Sequence, residues 1–217
     1  MNGLKKDAPK MLKLNRRAMI ALAAAASAAM TPVFAEDAPA EVPPPGDFSI
    51  GNPEATVKIV EYASFTCPHC AHFHETVWPD LKKNYIDTGK VYFTLREVYF
   101  DRVGLLAAMM ARCGGEMRYY GIHDMLFSKQ QEWLASQDPA VIVDALKAIG
   151  VSAGMDAAAI DTCLNDQAMA EALVKQFETN MEADGVEGTP TVFVNGEKVG
   201  NPSYEDLSAA IDAALAQ

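Results

Sequence analysis

Apolar residues follow the spacing of a strand, then of a helix, then of a strand again in the first half of the chain. Residues 57–63 (VKIVEYA) are mostly β-branched or apolar, which is typical of a buried strand. Residues 68–87 have a helical pattern, in which Pro79 is expected to produce a kink. Apolar and polar residues alternate along residues 90–97 (KVYFTLRE), which predicts a second strand. This order predicts a βαβ unit.

The middle of the chain has helical patterns only. Residues 103–184 are rich in Ala, Met, Leu and Gln, and Gly and Pro residues divide them into four or five predicted helices. Two short apolar runs then flank Asn195-Gly196, a pair that favours the type I′ turn of a β-hairpin because both residues tolerate positive φ. Ser203 is the expected N-cap of a closing helix.

Strand patterns therefore lie on both sides of a helical block. This arrangement predicts an α/β fold in which residues 47–102 and 185–217 form one domain. Residues 103–184 are predicted to be an all-helical insertion into that domain. The sequence contains no internal repeat.

The first residues have the order of an export signal, with a basic segment, an apolar Ala-rich run and small residues before the expected cleavage site. We interpret residues 1–35 as a cleaved signal peptide, and an uncleaved membrane anchor is the alternative. Residues 15–20 (NRRAMI) resemble a twin-arginine export signal, so the export route stays open. Residues 36–46 (EDAPAEVPPPG) are interpreted as a proline-rich acidic tether. No later segment is long and apolar enough to span a membrane.

Charge and cysteine content narrow the function. The leader holds six of the 18 Lys and Arg residues and one of the 29 Asp and Glu residues, so the mature chain would carry a formal charge of −16. Such a surface repels phosphate backbones, which argues against nucleic-acid binding. An exported chain with four cysteines is expected to meet oxidising conditions.

The candidate chemistry lies at the junction of the first predicted strand and helix, in Cys67-Pro68-His69-Cys70. The first amide groups of a helix lack internal acceptors, and the helix dipole adds positive charge there. A thiolate at Cys67 would be stabilised in that field, with a pKa lowered to roughly 3.5–7.5, and a protonated His69 would stabilise it further. Cys67 is therefore expected to react with substrates and Cys70 to close the disulfide. A stabilised thiolate makes the disulfide form a stronger oxidant.

Other interpretations of this motif are weaker. A zinc site would have its donors crowded on one short segment: Cys67, Cys70, His72 and His74. Closed zinc sites usually draw their ligands from two separated segments, so no metal site is predicted here. His72 and His74 are instead expected to be exposed residues of the helix. Haem attachment would need His at the position of Ala71. A purely structural disulfide is disfavoured because the pair begins a helix.

With these residues in view, the chain resembles the DsbA family of thiol–disulfide oxidoreductases, and more closely the DsbA-like group common in alphaproteobacteria. The resemblance covers the mature chain and includes residues 61–70 (EYASFTCPHC), 85–90 (YIDTGK) and 185–191 (GVEGTPT). It implies a thioredoxin-like fold interrupted by a helical insertion. It also implies a periplasmic enzyme without metal or organic cofactor. We expect a monomer, because the tether of residues 36–46 leaves no room for an oligomerisation module.

The resemblance implies three further site residues. Pro190 would be a cis-proline facing the dithiol, and backbone groups of Thr189 would pair with an extended substrate. Glu61 would be a buried acid beneath Cys70 with a raised pKa, able to exchange protons with that thiol. A solvent-facing strand position is the alternative for Glu61. Strongly oxidising members of the family often carry Val before the cis-proline, so Thr189 is a departure that leaves oxidase and isomerase both open.

Three functions remain open. In the favoured one, the protein donates its Cys67–Cys70 disulfide to exported proteins with reduced cysteines, and a quinone-linked membrane oxidase resembling DsbB reoxidises it. The second is a disulfide isomerase or reductase kept reduced by another membrane partner. The third is a copper-handling protein that uses Cys67, Cys70, the adjacent histidines and the Met-rich helices.

Cys113 and Cys163 lie in the helical block. In an oxidising compartment two remaining cysteines usually pair, and members of the DsbA-like group resemble this chain in having a second pair there. We therefore expect a structural disulfide, with a regulatory or resolving role as the minor alternative. His123 is expected to make a structural hydrogen bond. The methionines of this block are interpreted as core residues: Met109, Met110, Met117, Met125 and Met155.

Overall fold

The computed structural model describes residues 45–217. The predicted signal peptide and most of the predicted tether lie outside the described residues. Five strands form one mixed sheet in the order β1-β3-β2-β4-β5. The strands are β1 (Phe48–Gly51), β2 (Val57–Ala63), β3 (Val91–Glu97), β4 (Thr191–Val194) and β5 (Glu197–Gly200).

β2 lies at the centre of the sheet and pairs in parallel with β3, from Val57 opposite Val91 to Ala63 opposite Glu97. The other pairings are antiparallel. A parallel pair needs a crossover connection, and the helix after β2 supplies it, which confirms the predicted βαβ unit. β1 was not predicted. It has four residues at the edge of the sheet, too few to show a period.

The crossover helix is interrupted, as Pro79 predicted. α1 (Pro68–Thr76) ends at Val77, a one-turn α2 (Trp78–Leu81) follows, and a π-helical turn spans Lys82–Ile86. Proline lacks an amide proton and its ring crowds the carbonyl four residues earlier, so a regular helix cannot continue through this position.

Six helices connect β3 to β4, where four or five were predicted. They are α3 (Arg102–Cys113), α4 (Glu116–Ser128), α5 (Gln130–Trp133), α6 (Pro139–Ser152), α7 (Ala157–Leu164) and α8 (Gln167–Ala183). The additional helix is α5, a single turn that is too short to show periodicity. Side-chain oxygens of aspartates cap four of these helices: Asp101, Asp138, Asp156 and Asp166.

The C-terminal elements follow the prediction. β4 and β5 form a hairpin in which Asn195 and Gly196 both have positive φ, of 49° and 86°. Ser203 caps α9 (Tyr204–Leu215) by accepting a hydrogen bond from the amide of Asp206. Both features come from local sequence signals, and both are confirmed.

One hydrophobic core runs from the sheet into the helices between β3 and β4. A buried ion pair joins the two parts, since Arg112 of α3 donates to both carboxylate oxygens of Glu97 at 2.8 and 2.6 Å. Met109 and Met110 are core residues, but Met117 is 99% exposed, so its assignment to the core was wrong. Among residues 45–217, no helix has both the length and the apolar character needed to cross a membrane.

Candidate active site

Cys67 lies where β2 ends and α1 begins. It is the N-cap residue of α1, with extended backbone angles, and Pro68 occupies the first turn. Its amide donates to the carbonyl of Ser64, which closes the turn between strand and helix. Cys67 is partly exposed, whereas Cys70, one turn later, is 0% exposed, and both are free thiols. The accessible and the enclosed sulfur therefore have the positions that the sequence predicted.

The surroundings of Cys67 favour its thiolate. The pKa of Cys67 is lowered to about 5, first by a hydrogen bond from the Cys70 thiol, against the opposing effect of partial burial. The Thr189 side chain and the backbone amides of Cys70 and His69 also donate to this sulfur. His69 thus contributes through its backbone, while its side chain is exposed, as is Pro68.

Cys70 has the opposite tendency. Its proton is held in the hydrogen bond to Cys67, it is buried, and Glu61 repels a negative charge on Cys70 once its own carboxyl is ionised. These effects raise the pKa of Cys70 far above that of a free thiol. The pair therefore carries a single negative charge in its reduced form, and that charge resides on Cys67.

The loop before β4 faces the reactive sulfur. The Thr189–Pro190 peptide bond is cis. The Cys67 sulfur lies 3.6 Å from the carbonyl oxygen of Thr189, to which it can donate a hydrogen bond when it is protonated. The Thr189 hydroxyl is buried and has no other acceptor among the described residues, so its proton is available to the Cys67 thiolate.

Glu61 lies on β2, between Leu95 of β3 and Val192 of β4 in the sheet register. It is only 3% exposed, so the alternative of a solvent-facing strand residue was wrong. Burial raises the pKa of Glu61 to about 8. The carboxyl group is therefore protonated at neutral pH, and its charge acts on Cys70 only after that proton is lost. These are the properties of a proton donor for the buried thiolate.

Two polar contacts hold the loop before Cys67, and sequence reasoning missed both. The buried side-chain amide of Gln130 donates to the carbonyl of Phe65 at 2.8 Å and to that of Cys67 at 2.9 Å. The hydroxyl of Thr66 donates to Asp101, the N-cap of α3, at 2.7 Å. No sequence signal distinguished Gln130, because it lies within a polar run, residues 128–132 (SKQQE).

One of the three histidine assignments needs correction. His72 is exposed, as expected, but His74 is buried. Its ring stacks between Trp78 and Phe127, with centroid separations of 5.8 and 5.2 Å. Burial, together with the nearby His123, lowers the pKa of His74 to about 3, so the ring is neutral at physiological pH. His123 is hydrogen-bonded to Asp124 at 3.1 Å, in line with the predicted structural role.

The second cysteine pair is far from this chemistry in sequence. Cys113, at the end of α3, and Cys163, near the end of α7, are joined by a disulfide with a Cα–Cα distance of 6.1 Å. That distance lies within the normal range for disulfides. The bond ties together two helices of the block between β3 and β4.

The sheet order, the cis-proline loop and a dithiol at a helix start define a thioredoxin-fold protein with a CxxC centre. A family model described as "Thioredoxin" matches residues 44–213, and the chain therefore belongs to the thioredoxin family. The predicted thioredoxin-like fold with a helical insertion is thereby confirmed.

Individual relatives agree with the predicted DsbA resemblance. A Rickettsia felis protein, provisionally named a protein-disulfide oxidoreductase, is 37% identical over 78% of this chain and 60% of its own length. Disulfide bond formation protein D of Bacillus subtilis is 26% identical over 76% of each chain. The crystal structure of Wolbachia pipientis alpha-DsbA1 superposes with a TM-score of 0.73 at 28% identity, over 81% of this chain and 94% of that one. The chain thus spans about three fifths of the length of its Rickettsia relative.

Proposed function

We propose that this chain is a periplasmic protein thiol–disulfide oxidoreductase that donates its Cys67–Cys70 disulfide to newly exported proteins. The single observation that carries the proposal is the asymmetry of the pair. Cys67 is accessible with a pKa lowered to about 5, while Cys70 is buried with a raised pKa. This asymmetry specifies which sulfur meets the substrate.

The first step is the attack of a substrate thiolate on the Cys67 sulfur of the oxidised enzyme. The Cys67–Cys70 bond breaks, a mixed disulfide forms, and the electron pair leaves on Cys70. A thiolate at Cys70 is unfavourable because the site is buried. Glu61, protonated at neutral pH, would supply the proton.

The second step releases the product. Another substrate thiolate attacks the substrate sulfur of the mixed disulfide, and Cys67 leaves as a thiolate. The substrate loses two electrons and gains a disulfide, and the enzyme becomes the dithiol. The stabilised thiolate of Cys67 makes this departure favourable, which supports the oxidising direction. Reoxidation is assigned to a quinone-linked membrane oxidase of the DsbB type.

Substrate binding is assigned to the loop of Thr189 and Pro190. An extended substrate strand would pair with backbone groups of Thr189 beside the exposed face of Cys67, a small case of strand addition. Such pairing recognises the substrate through its backbone rather than through its side chains, which suits an enzyme that accepts many exported proteins.

The test is a redox titration of the full chain against glutathione, with mass mapping of the responding cysteines. We expect Cys67 and Cys70 to respond together at a potential well above the roughly −270 mV of thioredoxin. Cys67→Ser and Cys70→Ser should each abolish oxidation of a reduced test protein, because neither variant can form the Cys67–Cys70 disulfide. The matched control, Cys113→Ser/Cys163→Ser, should retain the activity.

One observation favours a second candidate, a disulfide isomerase or reductase: the residue before the cis-proline is Thr189 rather than Val. A potential near that of thioredoxin would establish this alternative in place of the oxidase. The copper-handling alternative needs histidines beside the dithiol, but His74 is directed toward His123 and Asp124. Tight anaerobic Cu(I) binding that is lost in Cys67→Ser, without disulfide donation, would favour copper handling.

A further inference from the structure

A second cluster of reactive side chains lies between α1 and α4. His74 of α1, with His123 and Asp124 of α4, each place one nitrogen or oxygen atom within 4.8 Å of the other two. Asp124 Oδ1 is 3.8 Å from Nε2 of His74 and 3.1 Å from Nδ1 of His123. The proposed thiol exchange uses none of these three groups.

This set of atoms is suited to a transition metal. Two imidazole nitrogens and one carboxylate oxygen are ligands that zinc and similar divalent cations accept. Tetrahedral zinc with bonds of about 2.0–2.1 Å keeps its ligand atoms about 3.4 Å apart. The two separations from Asp124 Oδ1, 3.1 and 3.8 Å, lie on either side of that value. The third separation, between the ligand nitrogens of His74 and His123, is within 4.8 Å, and these two nitrogens would have to be about 3.4 Å apart to coordinate one ion.

The surrounding residues hold the ligands in place. The indole of Trp78 donates to Asp124 Oδ1 at 2.8 Å, and hydrogen bonds of this kind to ligating groups fix their orientation in metal sites. Trp78 and Phe127 enclose the ring of His74, and His123 is only 1% exposed. Two of the three ligands therefore have restricted motion before any cation binds.

The cluster is also accessible from outside. The Asp124 side chain is 43% exposed. His74 borders a groove of about 700 Å³ that also contacts Phe127 and Lys129. A cation can enter at the exposed Asp124 side chain, where solvent can supply a water molecule as the fourth ligand. Sites with three protein ligands and one open position are common for zinc.

We propose that His74, His123 and Asp124 form a binding site for a divalent transition-metal cation of the zinc type, with water as the fourth ligand. The site is independent of the proposed disulfide exchange, since it uses neither Cys67 nor Cys70. It was not predicted from the sequence, because its ligands come from two helices and His74 was expected to be exposed.

The test is calorimetric titration of the full chain with Zn²⁺, after both cysteine pairs have been oxidised and verified by mass. The chain has four cysteines, so the oxidised protein offers no thiol to the metal. We expect binding of one ion per chain, and visible absorption bands of a low-coordinate site with Co²⁺. His74→Gln and Asp124→Asn should each weaken binding at least about tenfold.

His72→Gln is the matched control, because His72 lies on the same helix and is exposed. It should leave affinity unchanged. Asp124→Asn keeps an oxygen acceptor for Trp78, so in the presence of a chelator its melting temperature should match that of the parent chain. If His74→Gln does not fold, the Zn²⁺ affinity of Asp124→Asn decides the test. The proposal is overturned if one-to-one binding is absent, if both ligand variants bind like the parent, or if His72→Gln abolishes binding.

Discussion

The two cysteine pairs of this chain differ in their helix positions: the first pair lies at the N-terminus of a helix, and both members of the second pair lie at helix C-termini. Cys67 begins α1, where unpaired amides and the helix dipole favour negative charge. Cys113 is the last residue of α3, and Cys163 lies in the last turn of α7, where the dipole has the opposite sign. Helix position therefore adds to the hydrogen bonds that favour a thiolate at Cys67, and it disfavours a thiolate at Cys113 and Cys163.

The pairs also differ in the length of the chain loop that each disulfide closes. Cys67 and Cys70 are one helical turn apart, so their bond restricts little of the unfolded chain. Cys113 and Cys163 are separated by 50 positions, so their bond removes much of the freedom of the unfolded chain. The short loop suits reversible exchange, and the long loop suits stabilisation.

The largest predicted difference is in ionisation. In the reduced Cys163→Ala variant, Cys113 becomes an internal reference for Cys67. At pH 6 about 90% of Cys67 should be thiolate, against roughly 0.3% of an ordinary thiol with a pKa of about 8.5. Iodoacetamide labelling followed by mass spectrometry across a pH series should place the Cys67 midpoint near pH 5. Identical profiles for the two residues would remove the basis of the comparison and of the proposed function.

Removing the second pair should affect stability rather than chemistry. Cys113→Ala/Cys163→Ala is expected to lower the free energy of unfolding by about 4 kcal/mol on the chain-entropy model. Urea denaturation with Cys67–Cys70 oxidised would measure this. The redox potential of Cys67 and Cys70 should not change. A shifted potential with unchanged stability would instead support the regulatory role that was left open for this pair.

Glu61, beside the reactive pair, is expected to make the stability of the fold depend on pH. The carboxyl keeps its proton up to about pH 8 in the folded protein but loses it near 4.5 when unfolded. Unfolding therefore releases a proton between these values, so this group makes stability fall as pH rises through that window. Glu61→Gln should be more stable than the parent chain by roughly 2–4 kcal/mol at pH 8, and by much less at pH 4.5.

Urea denaturation of the oxidised proteins at both pH values would test this. Glu54→Gln is the control, because Glu54 is exposed and should show no such difference. A stability difference for Glu61→Gln that does not vary with pH would show that the carboxyl is already ionised in the fold. Glu61 could then not donate a proton to Cys70 in the way proposed.

The sequence predicted what short segments determine by themselves. The strands β2 and β3, the interruption near Pro79, the hairpin turn at Asn195 and the cap at Ser203 all follow from spacing or from residue type. The position of Cys67 at a helix start followed from the same signals. The DsbA resemblance predicted that Glu61 is a buried acid, whereas strand propensity alone did not decide between a buried and a solvent-facing side chain.

What the sequence did not predict depends on contacts between distant segments. His74 has an unremarkable helical position, and only the packing of α1 against α4 buries it beside His123. The edge strand β1 is recognisable only through its pairing with β3. Gln130 belongs to a one-turn helix, and its partners lie more than sixty positions earlier. No local pattern carries such information.

The smallest predicted effect tests how far the reactive pair depends on the helical block. Gln130 donates to the carbonyls of Phe65 and Cys67 and so joins α5 to the loop that positions the nucleophile. Gln130→Met removes both hydrogen bonds with little change in volume. Because the carbonyl of Phe65 then loses a buried donor, we expect a loss of about 1–3 kcal/mol in the free energy of unfolding. The labelling rate of Cys67 should also become less uniform, since its loop is less constrained.

Gln131→Met is the matched control, because Gln131 is the next residue, is exposed and should leave both measurements unchanged. If Gln130→Met destabilises the fold but leaves the pH profile and redox potential of Cys67 intact, the contact is structural only. If the potential shifts as well, the helical block contributes to the chemistry of Cys67 without touching its sulfur. The second pair, whose bond lies wholly within that block, should remain unaffected in either case.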